Sequence, residues 1–326
     1  MMSESSRRIR IRNVSLAASA ALLAATTACG AEVGSTSGDS PGGASSASTD
    51  GKTAVTAAMY PLQWLAERVG GPDSAVTGLT KPGVEPHDLE LSPIQVGGLE
   101  TTGLVVYIRG VQPAVDEAVE QHAADRAFDA ATAVTPLPAV AEEEHHGEEG
   151  HDHEETGYDP HLWLDPARFA TVATKLGERL AAADPAHARG YRDRAAATAA
   201  DLIALDRELA KGLATCSSDA IVTSHAAFGY LADRYRLHQI GISGLDPDAE
   251  PSPARLAEVA KVAKQEKVTT IFTETLVSPK VAEILAQEVG AKTAVLDPVE
   301  SRPSNGDYLS AMRQNLSTLQ TALSCS

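Results

Sequence analysis

The chain has 326 residues and a formal net charge of −17 at pH 7, with 27 Lys and Arg against 44 Asp and Glu. So acidic a protein repels nucleic acid and anionic membrane surfaces, and neither is expected as a partner. Its length is enough for two domains of ordinary size. The acidic balance suits a cation as the ligand.

The first 28 residues are typical of a bacterial secretion signal. Four arginines precede the apolar, alanine-rich run 14–25, which is too short to remain as a membrane-spanning helix. Small residues then lead to Cys29 and Gly30, as in a lipobox. This pattern predicts that Cys29 is acylated and tethers the protein to the outer face of the cell membrane. The alternative is an ordinary signal peptide cleaved near Ala28.

Residues 29–51 are rich in Gly, Ser, Ala and Thr, a composition typical of a flexible linker. Beyond them, short apolar runs alternate with helical segments, which predicts an α/β fold with two lobes, each built on a mostly parallel sheet. The predicted N-terminal lobe is 52–184 and the C-terminal lobe is 214–326. The Ala- and Leu-rich segment 185–213 has few helix breakers and predicts one long helix that joins the lobes.

The individual elements follow from apolar runs, helical periodicity and capping residues. The predicted strands are 53–57, 75–79, 104–108, 220–223, 238–243, 269–273 and 293–296. The predicted helices are 61–70, one that begins at Ser92, and then 111–121, 165–183, 185–213, 226–235, 252–266, 279–290 and 308–323. Ser92, followed by Pro93 and Gln95, predicts a capped start with a capping box.

An acidic, histidine-rich tract at 142–155 interrupts the predicted N-terminal lobe. It holds eight acidic residues and four histidines, namely His145, His146, His151 and His153. Such a tract has nothing apolar to bury, but its imidazoles and carboxylates can bind divalent metals, with zinc as the natural candidate. It is predicted to be an auxiliary metal-collecting loop; the alternative is a solvated acidic insertion.

Four polar residues follow predicted strands or lie in crossover loops, where open α/β sheets place their ligands. They are His87, His161, His225 and Asp297. Two fall in each predicted lobe, so one metal ion could close a cleft between the lobes. Three imidazoles with a carboxylate or a water form a tetrahedral set that suits Zn²⁺, whereas hard cations use more oxygen ligands.

Six short motifs occur in order along residues 52–326. They are Glu85-Pro86-His87-Asp88 with Ser92-Pro93, Asp159-Pro160-His161-Leu162-Trp163-Leu164-Asp165-Pro166, Ser224-His225-Ala226-Ala227-Phe228-Gly229-Tyr230-Leu231, Glu250-Pro251-Ser252-Pro253, Ile271-Phe272-Thr273-Glu274 and Leu296-Asp297-Pro298. With this set the chain resembles the metal-binding, cluster A type of substrate-binding protein that serves ABC importers, and specifically its zinc members.

The resemblance implies two α/β lobes joined by one rigid helix, and zinc ligation by His87, His161 and His225. Manganese-type relatives have a carboxylate at the position of His225, so zinc is favoured over manganese. In some zinc relatives a Glu precedes the first ligand histidine, but Pro86 stands there in this chain. Asp297 or a water is therefore expected as the fourth ligand.

Carboxylates and other polar groups are expected to orient the ligand imidazoles. The candidates beside the histidines are Glu85, Asp88, Tyr158, Asp159 and Trp163, although Trp163 is better explained by packing.

Cys216 and Cys325 are the two cysteines beyond the predicted anchor. Disulfides persist outside the cell and the chain has no CxxC motif, so the pair is predicted to form a disulfide. Two free thiols or zinc ligands are the alternatives. A similar pair of cysteines occurs in zinc members of the family that the chain resembles.

Together these features predict an extracytoplasmic, lipid-anchored monomer that binds Zn²⁺ and delivers it to an ABC permease. A metal-dependent surface adhesin and a manganese-binding homologue are the alternatives. No enzyme activity is expected. Three histidines would fit a zinc hydrolase, but the chain has neither HExxH nor HxxEH, and nothing marks a general base.

Overall fold

The computed structural model describes residues 51–139 and 157–326. The predicted signal segment, with Cys29, and the predicted metal-collecting loop, with its four histidines, lie outside the described residues. No helix of the described residues is both long enough and apolar enough to span a bilayer.

The described residues form two parallel sheets of four strands each, and the apolar runs predict all of these strands except the three-residue strand at 127–129, which the sequence analysis missed. The strands are β1 Thr53–Ala57, β2 Ser74–Gly78, β3 Leu104–Tyr107, β4 Ala127–Asp129, β5 Ala220–Thr223, β6 His238–Gly241, β7 Thr270–Thr273 and β8 Lys292–Val295. Their order is β2-β1-β3-β4 in the first sheet and β6-β5-β7-β8 in the second. The winding direction therefore reverses between β1 and β3 and between β5 and β7. Open α/β sheets bind ligands beyond the carboxyl ends of strands at such points.

Nine helices of the described residues surround the sheets. They are α1 Tyr60–Gly70, α2 Pro93–Thr101, α3 Pro113–His122, α4 Pro166–Ala183, α5 Ala188–Gly212, α6 Gly229–Tyr235, α7 Pro253–Gln265, α8 Lys280–Val289 and α9 Tyr308–Ala322. We call the first sheet with α1–α4 the first lobe, and the second sheet with α6–α9 the second lobe.

The long helix that the sequence predicts is α5, which begins after a 3-10 turn at Pro185–His187. At 1.5 Å per residue it is about 37 Å long. It packs against α1 and α4 of the first lobe and against α9 of the second. This helix joins two α/β lobes, each with a parallel sheet, which confirms the predicted fold class.

Local sequence signals explain where several helices begin. Ser92 Oγ accepts a hydrogen bond from the backbone N–H of Gln95, and Gln95 Oε1 accepts one from the backbone N–H of Ser92, so the predicted capping box is present. Asp165 Oδ1 caps α4 by accepting from the N–H groups of Ala167 and Arg168 at 2.8 and 3.2 Å. This cap sets the direction of the loop that carries His161.

Aromatic side chains pack the two lobes against each other. The Tyr308 ring of the second lobe lies 4.8 Å from Trp64 and 5.2 Å from Phe169 of the first lobe, measured between ring centroids. Trp64 Nε1 also donates to Asp307 Oδ2 at 3.1 Å. Side chains of both lobes therefore belong to one continuous core.

Cys216 and Cys325 form a disulfide, which confirms that prediction. It joins the segment before β5 to the segment after α9, across 109 residues of sequence. The backbone N–H of Ser217 donates to the carbonyl of Leu323 beside it at 3.0 Å. The bridge therefore lies near the amino end of β5, at the sheet edge opposite to His225.

The double variant Cys216→Ser/Cys325→Ser should lose about 2–5 kcal/mol of unfolding free energy, because the bridge closes a long loop and so restricts the unfolded chain. Equilibrium denaturation in urea measures this loss. Wild-type protein in reducing agent should unfold at the same urea concentration as the variant. An unchanged midpoint in both samples would show that the disulfide does not stabilise the fold.

Candidate metal centre

Three histidines and one glutamate from the two lobes converge on one point. The ligand atoms of His87, His161, His225 and Glu300 all lie within 4.8 Å of one another. Glu300 Oε1 lies 3.6, 3.7 and 3.9 Å from the Nε2 atoms of the three histidines in that order. Ligands of a tetrahedral zinc ion are about 3.3 Å apart, given bonds of about 2.0–2.1 Å. The distances from Glu300 to the histidines exceed this value by only a few tenths of an ångström, and every other pair in the cluster lies within 4.8 Å.

The ligand atoms of this cluster are buried and lack hydrogen bonds to any described residue. They are the three histidine Nε2 atoms and both carboxylate oxygens of Glu300. The side chains of His161 and His225 are 0% exposed and that of Glu300 is 1% exposed. Leaving one such polar atom unsatisfied costs about 1–3 kcal/mol. A divalent cation at the centre of the cluster would satisfy these groups together.

His161 is oriented by Asp159, two residues earlier in the same loop. Asp159 Oδ1 accepts from the backbone N–H of His161 at 2.9 Å and lies 2.8 Å from its ring Nδ1. A proton on Nδ1 leaves Nε2 as the nitrogen free to bind a metal. Burial lowers the pKa of His161, although Asp159 opposes that shift. The ring is thereby kept in the neutral form that metal binding requires.

His225 is oriented by Glu274, which the sheet places beside it. Glu274 Oε1 accepts from the backbone N–H of His225 at 3.0 Å, and Glu274 Oε2 lies 2.6 Å from the ring Nδ1. His225 follows β5 and Glu274 follows β7, and these two strands are neighbours at the point where the winding reverses. Burial alone would lower the pKa of His225, but attraction by Glu274 and Glu300 raises it to about 9.

His87, in the loop between β2 and α2, is less completely enclosed than His161 and His225. Glu85 Oε1 accepts from the backbone N–H of His87 at 3.2 Å. The His87 side chain is 11% exposed, which makes it the most exposed member of the cluster. Burial lowers the pKa of His87, and burial together with the charge of Glu300 raises the pKa of Glu85 to about 7.

Glu300 stands where the sequence predicts Asp297 or a water. Asp297 Oδ1 instead accepts from the backbone N–H of Val299 at 2.8 Å. Asn315 exchanges two hydrogen bonds with the Asp297 backbone, at 3.0 and 2.6 Å. Together they hold a turn in which Val299 has a φ of 60°, a left-handed conformation that β-branched residues rarely adopt. Asp297 therefore shapes the turn that carries Glu300 into the cluster and does not itself join the cluster.

The Glu300 turn is also tied to the first lobe. Trp163 Nε1 donates to the Pro298 carbonyl at 2.7 Å, and the Tyr308 hydroxyl donates to the Trp163 carbonyl. The Trp163 ring lies 5.2 Å from the His161 ring. Trp163 thus packs in the core, as expected, and also links the two loops. Burial raises the pKa of Glu300 to about 7, although His225 and His161 oppose this shift.

Some of the other groups that the sequence suggests for orienting the histidines contact them, and others do not. Asp159 and Glu85 contact ligand histidines, whereas the Tyr158 hydroxyl donates to the Arg109 carbonyl at 2.7 Å and Asp88 is exposed. Sequence reasoning gave no orienting role to Glu274. The available signal was its place one residue after a predicted strand, at the same carboxyl edge of the sheet as His225, which lies two residues after its strand.

The base of the predicted metal-collecting loop lies close to the cluster. Pro138 and Tyr158 form an antiparallel bridge, and the Asp159 N–H donates to the Leu137 carbonyl at 2.9 Å. The described residues on the two sides of 140–156 are therefore paired with each other, and the description resumes at Gly157, four residues before His161.

Comparison with known proteins gives a consistent result. A family model described as "Zinc-uptake complex component A periplasmic" matches residues 55–322. Zinc-binding lipoprotein AdcA of Streptococcus pneumoniae is 36% identical over 283 residues, which cover 83% of this chain and 56% of that protein. The chain thus spans little more than half the length of this curated relative.

Solved structures show the same fold. The laminin-binding protein Lmb of Streptococcus agalactiae, described as bifunctional with adhesin and metal transporting activity, is 30% identical with a TM-score of 0.73, covering 83% of this chain and 99% of its own. A Zn(II)-bound variant of AdcAII from Streptococcus pneumoniae has a TM-score of 0.73 at 28% identity, covering 84% of this chain and 99% of its own.

Asp159→Asn and Glu274→Gln should each lower zinc affinity about 10–100-fold, because each removes the charge that orients and polarises a ligand imidazole. Competition with a chromophoric chelator measures the affinity. Glu266→Gln, which neutralises an exposed carboxylate at the end of α7, is the matched control. If the two buried variants bind zinc as tightly as this control, the carboxylates do not tune the site.

Proposed function

We propose that the chain captures Zn²⁺ outside the cell membrane and delivers it to an ABC permease, because it belongs to the family of periplasmic zinc-uptake complex component A. The observation that carries this proposal is the set of buried, unsatisfied ligand atoms contributed by His87, His161, His225 and Glu300. We assign these four residues as the zinc ligands.

The composition of the ligand set supports zinc as the cargo. Three imidazole nitrogens and one carboxylate suit tetrahedral Zn²⁺, whereas Mn²⁺ prefers more oxygen ligands. The ligands come from both lobes, so the bound ion would hold the lobes together. The zinc-binding names of AdcA and AdcAII agree with this assignment.

The same set argues against catalysis. A catalytic zinc has three protein ligands and keeps a fourth position for water or substrate. Here protein atoms supply four ligands, and the cluster is almost wholly buried. We therefore propose a transported ion, with no hydrolytic step.

The N-terminal sequence supports a position at the membrane surface. We propose that Cys29 carries a lipid anchor and that residues 29–51 tether a monomeric body to it; AdcA of Streptococcus pneumoniae is likewise named a lipoprotein. A flexible tether of this length has a root-mean-square span of about 25–30 Å. The body could then reach a permease in the same membrane.

Surface adhesion is a second candidate function, because Lmb, a close structural match, is described as both adhesin and metal transporter. A strain that lacks the protein separates the two. Importer function predicts poor growth in a chelator that added zinc restores and added manganese does not. Normal growth in chelator, with loss of binding to immobilised laminin, would favour the adhesin.

Zinc titration of the protein, of His87→Ala and of a deletion of 142–155 tests the proposed site. We expect one tight zinc ion that is lost in His87→Ala and kept in the deletion, because the cluster alone forms a closed ligand set. If tight binding survives His87→Ala and disappears in the deletion, the histidine-rich tract is the zinc site and the cluster is not.

Glu300→Gln and Asp297→Asn form a matched pair that tests the fourth ligand. Glu300→Gln should weaken zinc binding at least about 100-fold, or about 2.7 kcal/mol, because it removes a charged ligand. Asp297→Asn keeps an acceptor for the Val299 N–H and should change affinity less than about threefold. Isothermal competition titration gives both values. The opposite ranking would return Asp297 to the ligand set.

Zinc affinity should fall as pH falls, because protons compete for the ligand atoms. The pKa of His225 is raised to about 9 in the metal-free site, so zinc binding at pH 8 should release about one proton from it. Below pH 7 the fall should steepen, because the pKa of Glu300 is about 7. Calorimetry in two buffers of different ionisation enthalpy counts the protons. Absence of proton release at pH 8 would contradict the charged state assigned to His225.

A further inference from the structure

We propose that Glu85 is the carboxylate that a zinc ion contacts on its way between solvent and the four buried ligands, so that it governs the rates of zinc capture and release. This inference rests on the proposed function, since it concerns the same site. It assigns Glu85 a kinetic role outside the ligand set.

The three ligand histidines are supported in a similar way, with one difference. Each has a carboxylate that accepts from its own backbone N–H. Asp159 Oδ1 and Glu274 Oε2 also lie 2.8 and 2.6 Å from the ring Nδ1 of their histidines. Glu85 Oε1 holds the backbone N–H of His87, but Glu85 Oε2 is buried and makes no hydrogen bond to any described residue.

Glu85 lies on the side of the cluster that opens to solvent. Its neighbour His87 is the most exposed ligand, with 11% of the side chain accessible, whereas the other three ligands are 0–1% exposed. An ion that enters or leaves must therefore pass the His87 side.

Glu85 is nevertheless not a fifth member of the ligand cluster. The ligand atoms that all lie within 4.8 Å of one another belong to His87, His161, His225 and Glu300, and Glu85 is outside this set. Glu85 thus contacts the backbone of the outermost ligand without belonging to the four-ligand set.

A transit role follows from how a buried ion exchanges. Zn²⁺ held by four protein atoms can leave only if the bonds break one at a time, and a partly desolvated cation is strongly destabilised in a buried, low-dielectric site. A carboxylate beside the outermost ligand can bind the ion as its bond to His87 breaks during release. The same carboxylate can be the first protein group to bind the ion during capture. Glu85, with a buried oxygen that lacks a hydrogen-bond partner and a position two residues before His87, is suited to that exchange.

A purely structural role for Glu85 makes a different prediction. If its only task is to hold the loop through the His87 N–H, Glu85→Gln should be silent, since the amide oxygen still accepts that bond. Loss of the loop geometry would accelerate zinc release and leave capture unchanged. If Glu85 has a transit role, Glu85→Gln should slow both zinc capture and zinc release.

Stopped-flow fluorescence can measure both rates in the full-length protein held in mild detergent. Trp163 lies against His161 and is the expected reporter. Zinc sulfate is mixed with metal-free protein to follow capture, and excess EDTA with zinc-loaded protein to follow release. The assay runs at pH 8. Glu90→Gln is the matched control, because Glu90 is an exposed carboxylate of the same loop.

We expect Glu85→Gln to slow capture and release at least about threefold relative to Glu90→Gln, with a smaller change in equilibrium affinity. The difference should persist in 0.5 M salt, because screening weakens distant surface charges far more than a buried neighbour. Glu85→Asp, which keeps the charge, should recover part of the capture rate.

Capture by Glu85→Gln at the rate of Glu90→Gln, or faster release with unchanged capture, would overturn the proposal. Zinc content of the wild-type protein is measured alongside. Wild type that binds no zinc would refute the proposed function itself, whereas tight binding with equal capture rates would refute only the role of Glu85.

Discussion

The burial of three imidazole nitrogens and a carboxylate without hydrogen-bond partners is the constraint on which the rest of the structure depends. Such a cluster opposes folding unless a cation occupies it, so the fold must hold it together by other means. The parallel sheets place His225 and Glu274 side by side, and the aromatic core between the lobes aligns the first-lobe histidines with Glu300. Under the proposed function, a divalent ion that satisfies these atoms recovers this free energy as binding affinity.

The contacts between lobes limit how the site can open. Trp163 bonds the Glu300 turn, Tyr308 bonds the Trp163 carbonyl, and the Tyr230 hydroxyl accepts from the Leu137 N–H at 3.0 Å. The four candidate ligand atoms already lie within 4.8 Å of one another. The proposed delivery of zinc requires that bound and free forms differ. The looser loop around His87 is the element best placed to provide that difference, whereas a wide rotation of the lobes would break the shared core.

Much of this could be predicted from sequence, because the signals are local. Continuous apolar runs located β3 and β5, and Ser92 with Gln95 marked the start of α2. β4 has only three residues, too few for a periodic pattern. The Glu300 ligand and the Glu274–His225 pair depend on tertiary structure. Glu300 reaches the site only through the left-handed conformation of Val299, which Asp297 and the distant Asn315 hold in place. The pairing of Glu274 with His225 follows from the order of the strands in the sheet, which a single sequence does not specify.

A crystal structure of the zinc-loaded protein, with anomalous data at the zinc edge, tests the central claim most directly. The account predicts one strong anomalous peak bonded at about 2.0–2.1 Å to the Nε2 atoms of His87, His161 and His225 and to a carboxylate oxygen of Glu300. A peak elsewhere, or one at the three histidines completed by Asp297 or a water with Glu300 turned away, would contradict it.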